Sequence, residues 1–422
     1  MSTPHPGSST ARAAFEYRDF RLYQGARLLT IVGTEMQSVA VGWQVYELTH
    51  RPLDLGLVGL AQFLPGILLF LVAGHTADRF DRRRIILVCY SAFALCSFLL
   101  LGHTIMGAPG VRQIYAILIL LGVVRAFNGP AGQALVPQLV RIEHFPSAVA
   151  LGATIFQVAT ILGPALGGVI YGWTGGAGSV YGTAIVCYVA AVFMAFAMEI
   201  RTGRLEHRAA SLETVLAGFR YVWREKVILG SISLDLFAVL LGGAVALLPV
   251  YAKEILHVGP WGLGLMRSAP AAGATIMAIT LAHRPLRKSA GKIMLWCVAG
   301  FGVFTIVFGL SHNLLVSLAS LVLVGAADMV SIIVRSTVVQ IATPPEMRGR
   351  VSAVNMLFVG ASNEFGQFES GITAQWFGTV PAVVMGGIGT LIVVASYAWR
   401  FPELRRVNRL TVEGISAAQS PK

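Results

Sequence analysis

Long apolar runs separated by short polar connectors organise this chain. A bilayer core of roughly 30 Å takes about 20 apolar residues per helix, and helices satisfy their own backbone hydrogen bonds in lipid. Runs of that length predict spans at residues 22–47, 54–77, 85–107, 113–138, 148–172 and 179–200. A second set follows at 227–251, 261–282, 291–311, 314–341, 351–377 and 380–399. The segment MSTPHPGSSTARAAFEYRDFR ahead of the first run is polar and lacks a short apolar core with a cleavage site, so the first span is expected to act as an uncleaved anchor.

Between the two sets, SLETVLAGFRYVWREK places Leu212, Val215, Leu216, Phe219 and Val222 at helical spacing, with Arg220, Arg224 and Lys226 among them. This predicts an amphipathic helix lying at the cytoplasmic interface. The expected organisation is an all-α integral membrane protein of twelve transmembrane helices in two bundles. Residues 1–200 form a six-helix bundle with a short cytoplasmic N-terminus, 201–226 a cytoplasmic linker, 227–400 a second six-helix bundle and 401–422 a cytoplasmic tail.

The halves align weakly but in order at an offset near 203, the internal symmetry many transporters carry. LLGVVRAFN meets VGAADMVSI, which sets Arg125 opposite Asp328. ADRFDRRR meets AHRPLRKS, keeping Arg79 as Arg284 and Arg82 as Arg287, and Glu35 meets Asp235.

Composition agrees with the pattern: 55% of the 422 residues are hydrophobic and 12% charged, where soluble domains carry roughly 25% charged. A net charge of +12 could suggest nucleic acid, but the positions of the basic residues argue for topology instead. With a cytoplasmic N-terminus, 25 of the 32 fall on inner segments, three (Arg51, Arg112, Lys253) on outer loops, and four (Arg27, Arg125, Arg267, Arg335) within spans. That asymmetry is the positive-inside rule, and it predicts both termini in the cytoplasm; the expected location is the plasma membrane, with multiple passes. Lipids, a small-molecule substrate and protons are the expected partners, with no nucleic acid; oligomeric state cannot be read.

Cys89, Cys96, Cys187 and Cys297 lie in predicted spans without C-x-x-C or metal-ligand spacing, and no G-x-x-x-x-G-K-[ST] cradles a phosphate. No metal or cofactor is expected, so energy would come from an ion gradient. An intramembrane enzyme is disfavoured, since no paired aspartates or Ser/His couple lie at membrane depth.

Ionisable groups at membrane depth are costly and mark function. Here they are Arg27, Glu35, Arg125, Asp235, Arg267, Asp328, Arg335, Glu364 and Glu369, while spans three, six, nine and twelve carry none near their centres and are expected to face lipid. Asp328 and Arg335 share one face of the tenth span about 10 Å apart, able to bracket a water or a substrate group. Asn363, Gln367 and Ser370 form a polar ridge that can bind solute or bond a neighbouring helix. A carboxylate that takes a proton from one side and releases it to the other could drive transport. Glu35, Asp235 and Asp328 are the candidates, with Arg125 and Arg335 as modulating cations; fixed pairs that lock helices are the alternative. Trp43, Tyr46, Phe127 and Phe358 are candidate apolar wall residues, and helix packing is their other possible role.

Over essentially the whole chain these residues resemble the major facilitator superfamily. Gly74-His-Thr-Ala-Asp78-Arg79-Phe-Asp81-Arg82-Arg83 resembles its loop-two motif, in which glycine permits close packing, the acid caps a neighbouring helix and arginines hold the cytoplasmic gate. The usual second glycine is Asp81 here, a residue type that tolerates a left-handed turn. Leu121-Gly-Val-Val-Arg125-Ala-Phe-Asn128-Gly129 resembles the fourth-span motif whose arginine is associated with proton coupling. Ala159-Thr-Ile-Leu-Gly163-Pro164-Ala-Leu-Gly167-Gly168 resembles the antiporter motif of the fifth span; an ordinary small-residue packing face is its plainer reading.

Within the superfamily, RDFRLYQGARLLTIVGTEMQSVAVGWQVYELT, LETVLAGFRYV and IATPPEMRGRVSAVN resemble the drug:proton antiporter group of enterobactin exporters and macrolide-efflux proteins. The resemblance implies export of a mid-sized, partly apolar molecule in exchange for protons, by alternating access about a site near the bilayer midplane. Import, or movement of lipid or lysolipid, fits the same fold. A receptor or scaffold without flux is the reading from a different class.

Overall fold

The computed structural model describes residues 13–107, 110–199, 212–284, 286 and 289–408. The N-terminal segment 1–12, the linker stretch 201–211 with Arg201, Arg204 and Arg208, Arg287 of the degenerate loop copy, and the tail 409–422 lie outside the described residues. Among the described residues the chain is helical, without strands.

Its long helices are α1 (Arg18–Thr49), α2 (Pro52–Arg79), α3 (Arg82–Ile105), α4 (Val111–Leu139), α5 (Phe145–Thr174) and α6 (Ala177–Phe196). A linker helix, Leu212–Arg224, precedes α7 (Lys226–Leu241), α8 (Gly259–His283), α9 (Ala290–Leu310), α10 (Leu314–Ala342), α11 (Pro345–Phe377) and α12 (Thr379–Arg400). Ten spans among the described residues are long and apolar enough to cross a membrane. At 32 and 33 residues, α1 and α11 have the length but carry more polar side chains. Glu35, Gln37 and Gln44 interrupt α1; Asn363, Glu364, Gln367 and Glu369 interrupt α11.

The seventh span departs from the single helix expected over 227–251. Its α-helix stops at Leu241, and the chain continues as a 3-10 segment Ala244–Leu247, one turn Leu248–Val250 and a π segment Tyr251–Ile255. Gly242 and Gly243 weaken the helix, and Pro249 cannot donate to the carbonyl four residues earlier. The freed end is held by neighbours: a Cβ on Gly366 would lie 2.9 Å from the carbonyl oxygens of both Val239 and Leu240, so α11 presses bare backbone against the break.

Two compact units emerge, each described by itself. One takes the described residues of Met1–Gln44 and Leu64–Ala210, the other those of Val45–Phe63 and Ser211–Lys422. The second unit thus takes in the C-terminal end of α1 and the N-terminal part of α2 as well as the residues expected in the second bundle. Gly56 explains the shift, because a Cβ there would stand 2.9 Å from the Phe368 Cα of α11. Gly371 reciprocates at 3.1 Å from the Gly56 Cα, Phe63 meets Phe365 edge-on at 6.0 Å, and the Tyr46 hydroxyl donates to Glu254.

In the first unit α3 packs between α4 and α6, and α5 crosses α1. In the second, α10 packs on α8 and α9. Two glycines set the α8–α10 contact: a Cβ on Gly273 would fall 1.8 Å from the Val322 oxygen, and one on Gly325 1.9 Å from the Pro270 oxygen. Gly325→Ala is expected to force these helices apart and destabilise the protein by about 1–3 kcal/mol. Gly74→Ala, whose Cβ would meet nothing within 4 Å, should leave the thermal midpoint of the detergent-purified protein unchanged; equal midpoints for both variants would contradict the close-contact reading.

Candidate functional site

The second unit holds a buried ion pair beside a cavity. Asp235 stands on α7, six residues before the break, and Arg335 on α10. Arg335 Nη1 donates to Asp235 Oδ2 at 2.5 Å, and the two residues are 4% and 5% exposed. Ser331 Oγ, one turn earlier on α10, lies 3.5 Å from Asp235 Oδ1. The guanidinium Nε is buried without a hydrogen-bond partner. Arg335 is thus committed to a neighbouring helix, so the expected bracket between Asp328 and Arg335 is not how that arginine is used.

Asp328 sits two turns before Arg335 and has neither an ion pair nor a hydrogen bond among the described residues. It borders two cavities. The larger, about 180 Å³, is lined by Asp328, Asn363, Gln367, Thr305, Phe301 and Phe308, with the glycines of the α7 break. A second, about 10 Å³, joins Asp328 to Asp235 and Ser331 and shares Val239 and Phe301 with the first. Its volume is that of a single water. Asp235 and Arg335 cancel each other's charge, which leaves Asp328 as the uncompensated acid on the larger cavity. The end of α7 opens into the same space, and the C-terminal end of a helix carries partial negative charge.

The expected ridge on α11 divides. Asn363 and Gln367 reach the cavity, the first donating to the Val359 oxygen at 2.9 Å and the second to Glu364 at 3.2 Å. Ser370 instead packs at the break, 3.1 Å from where a Gly243 Cβ would be. Glu369 accepts from Thr373 at 2.8 Å.

The aromatic residues named from the sequence make packing contacts of their own. Trp43 packs edge-on to Tyr171, and Phe358 stacks on Phe219 of the linker helix. Phe301 and Phe308 of α9 take the place by the cavity. A span without charges was expected to face lipid, yet α9 presents Phe301, Thr305 and Phe308 at helical spacing; that i, i+4, i+7 stripe was the available signal.

In the first unit, Glu35 is half-buried where α1 crosses α5. A Cβ on Gly163 would fall 2.5 Å from the Glu35 Cβ, and one on Gly167 2.8 Å from the Met36 Cα. Gly163, Gly167, Gly168 and Pro164 are all buried in α5. Arg125 is exposed on α4, near enough to act electrostatically on the Tyr188 hydroxyl, which pairs with Thr34 at 3.1 Å. Glu35 and Arg125 form no ion pair with each other among the described residues.

The loop after α2 is built from caps. Asp81 was expected to tolerate a left-handed turn; its φ is instead −60°, and its carboxylate accepts from the Arg83 backbone N–H at 2.9 Å, capping α3. This is the ordinary role of aspartate at a helix start. Arg82 is buried and donates to the Ala77 and Ala134 oxygens, tying α2 to α4. Arg83 donates to the Ala195 and Phe196 oxygens, satisfying the last carbonyls of α6. A Cβ on Gly74 would meet nothing within 4 Å, and Asp78 and the exposed Arg79 make no hydrogen bond or ion pair among the described residues. No group of three or more His, Cys, Asp or Glu suited to a metal ion occurs among the described residues.

The chain matches the family described as transmembrane secretion effector over residues 9–418. It is 26% identical to the enterobactin exporter EntS of Citrobacter koseri over 390 residues, covering 92% of each chain. It is likewise 26% identical to the EntS of Shigella boydii serotype 4 over 404 residues, covering 95% of this chain and 96% of that one. A solved nucleoside transporter, NupG, superposes with a TM-score of 0.71 at 13% identity, covering 91% of this chain and 99% of that one, a likeness of fold.

Removing one partner of a buried pair leaves an uncompensated charge, whereas apolar replacement of both is often neutral. Asp235→Asn alone should cost about 3–5 kcal/mol. Asp235→Leu with Arg335→Met should recover most of it, measured as thermal midpoints in detergent. A double variant as unstable as the single would show that the pair does not act as a unit.

Proposed function

Since the chain belongs to the transmembrane secretion effector family of major facilitator transporters, we propose that it exports a mid-sized, partly apolar molecule in exchange for protons. The observation that carries this reading is the uncompensated Asp328 on a cavity that also offers amides and aromatic rings. A carboxylate without a cationic partner in a poorly solvated site is neutral when protonated and costly when not. It therefore favours whichever state brings a proton or a polar ligand to it.

Asp328 is the proton carrier in this account. The one-water gap toward Asp235 and Ser331 gives Asp328 a short hydrogen-bonded connection to its neighbours, while Arg335 holds Asp235 in a fixed pair that does not take the proton. Solute rests against Phe301 and Phe308, with Asn363 and Gln367 fixing its polar groups. The α7 break supplies the flexible joint: discontinuous helices near the midplane are where transporters of this architecture place binding. Export rather than import is favoured by the exporters among its relatives, and an enterobactin-like siderophore or a drug of similar size is the cargo class to test first. Glu35, half-buried at the α1–α5 crossing, serves that crossing rather than the proton. No cofactor is required, because the proton gradient supplies the energy.

Proteoliposomes holding the full chain test this directly. Asp328→Asn is expected to abolish transport driven by a pH gradient while substrate counterflow, which needs no net proton movement, continues within a few-fold of wild type. Glu35→Gln should keep gradient-driven transport. Gradient-driven transport at the wild-type rate in Asp328→Asn would remove this residue from the coupling.

A further inference from the structure

The linker helix has two apolar sides, and among the described residues one is buried while the other is largely exposed. On the inner side, Val222 is buried with Ile228, Ile232, Val339, Val351 and Val354. The Tyr221 hydroxyl donates to the Ala342 oxygen at the end of α10 at 3.2 Å. A Cβ on Gly218 would lie 2.6 Å from the Arg350 oxygen of α11. The helix is therefore clamped to α10 and α11, which carry Asp328 and Gln367.

On the other side, Leu216, Phe219 and Trp223 are 60%, 42% and 67% exposed. Their i, i+3, i+7 spacing makes one continuous stripe. Phe219 stacks on Trp223 at 5.9 Å and on Phe358 at 6.1 Å, so the stripe is rigid. Beside it stand Arg220 and Arg224, one turn apart, both exposed and without an acidic partner among the described residues. Lys226, by contrast, is paired with Glu403 at 3.8 Å. A fixed aromatic stripe bordered by two exposed guanidiniums suits a membrane interface, where rings sit at the headgroup level and basic side chains reach anionic headgroups.

We propose that this helix is a binding site for anionic phospholipid of the adjoining leaflet, with Arg220 and Arg224 on the phosphates and Leu216, Phe219 and Trp223 among the upper acyl carbons. Occupancy steadies the helix against α10 and α11, so lipid charge reaches the cavity through contacts that already exist. The inference stands apart from the export reading, since it concerns lipid retention and not the solute.

Native mass spectrometry of the full chain, titrated in detergent with phosphatidylglycerol or with phosphatidylcholine of matched chains, tests it. Phosphatidylglycerol is expected to bind more tightly than phosphatidylcholine. Arg220→Gln with Arg224→Gln should weaken phosphatidylglycerol on the order of tenfold and leave phosphatidylcholine unchanged, while Arg220→Lys with Arg224→Lys, which keeps the charge, should stay within a few-fold of wild type. Trp223→Ala should weaken both lipids. Equal binding of the two lipids by the wild type, or an unchanged phosphatidylglycerol affinity in the double glutamine variant, would overturn the proposal.

Discussion

A carboxylate and a guanidinium 2.5 Å apart, each almost fully buried, fasten α7 to α10 at membrane depth. Two charges removed from water are tolerated only when they face one another with good geometry, so this pair fixes how the two helices meet. It also fixes what the neighbouring acid can do. With Arg335 turned to Asp235, nothing among the described residues neutralises Asp328, and its charge remains available to a proton or a solute.

Around that constraint the second unit is shaped by bare backbone. Gly273 and Gly325 bring α8 and α10 together; Gly366 presses α11 onto the end of α7. These contacts hold the α7 break open as one wall of the cavity while Phe301 and Phe308 supply another. The first unit shows the same economy in a different place. Gly163 and Gly167 let α1 lie against α5, and Arg82 and Arg83 spend their donors on the carbonyl oxygens of α2, α4 and α6.

Much of this was readable beforehand because lipid imposes simple rules. Apolar runs located the helices, including the linker helix, and the cost of a charge at membrane depth singled out Asp235, Asp328 and Arg335. The partner of each charge was not readable, since α7 and α10 are a hundred residues apart in sequence and only packing decides that Arg335 meets Asp235 rather than bracketing a solute with Asp328. The break in the seventh span lay in view as Gly242-Gly243 and Pro249, but an apolar run reads the same whether continuous or bent. Counting charges also hid α9, whose contribution to the cavity is aromatic. Asp81 shows the converse: its substitution for a glycine looked like a question of backbone conformation, and the answer was a side-chain cap.

The central claim is that Asp328, and not Asp235, changes its protonation within the working range of the protein. Infrared difference spectroscopy of the purified full chain between mildly alkaline and mildly acidic buffer reads this directly, through the C=O stretch of a protonated carboxyl. The account expects a carboxyl band that grows on acidification, is lost in Asp328→Asn, and persists when Asp235 and Arg335 are replaced together by Leu and Met. A band that survives Asp328→Asn and disappears with the pair would contradict it.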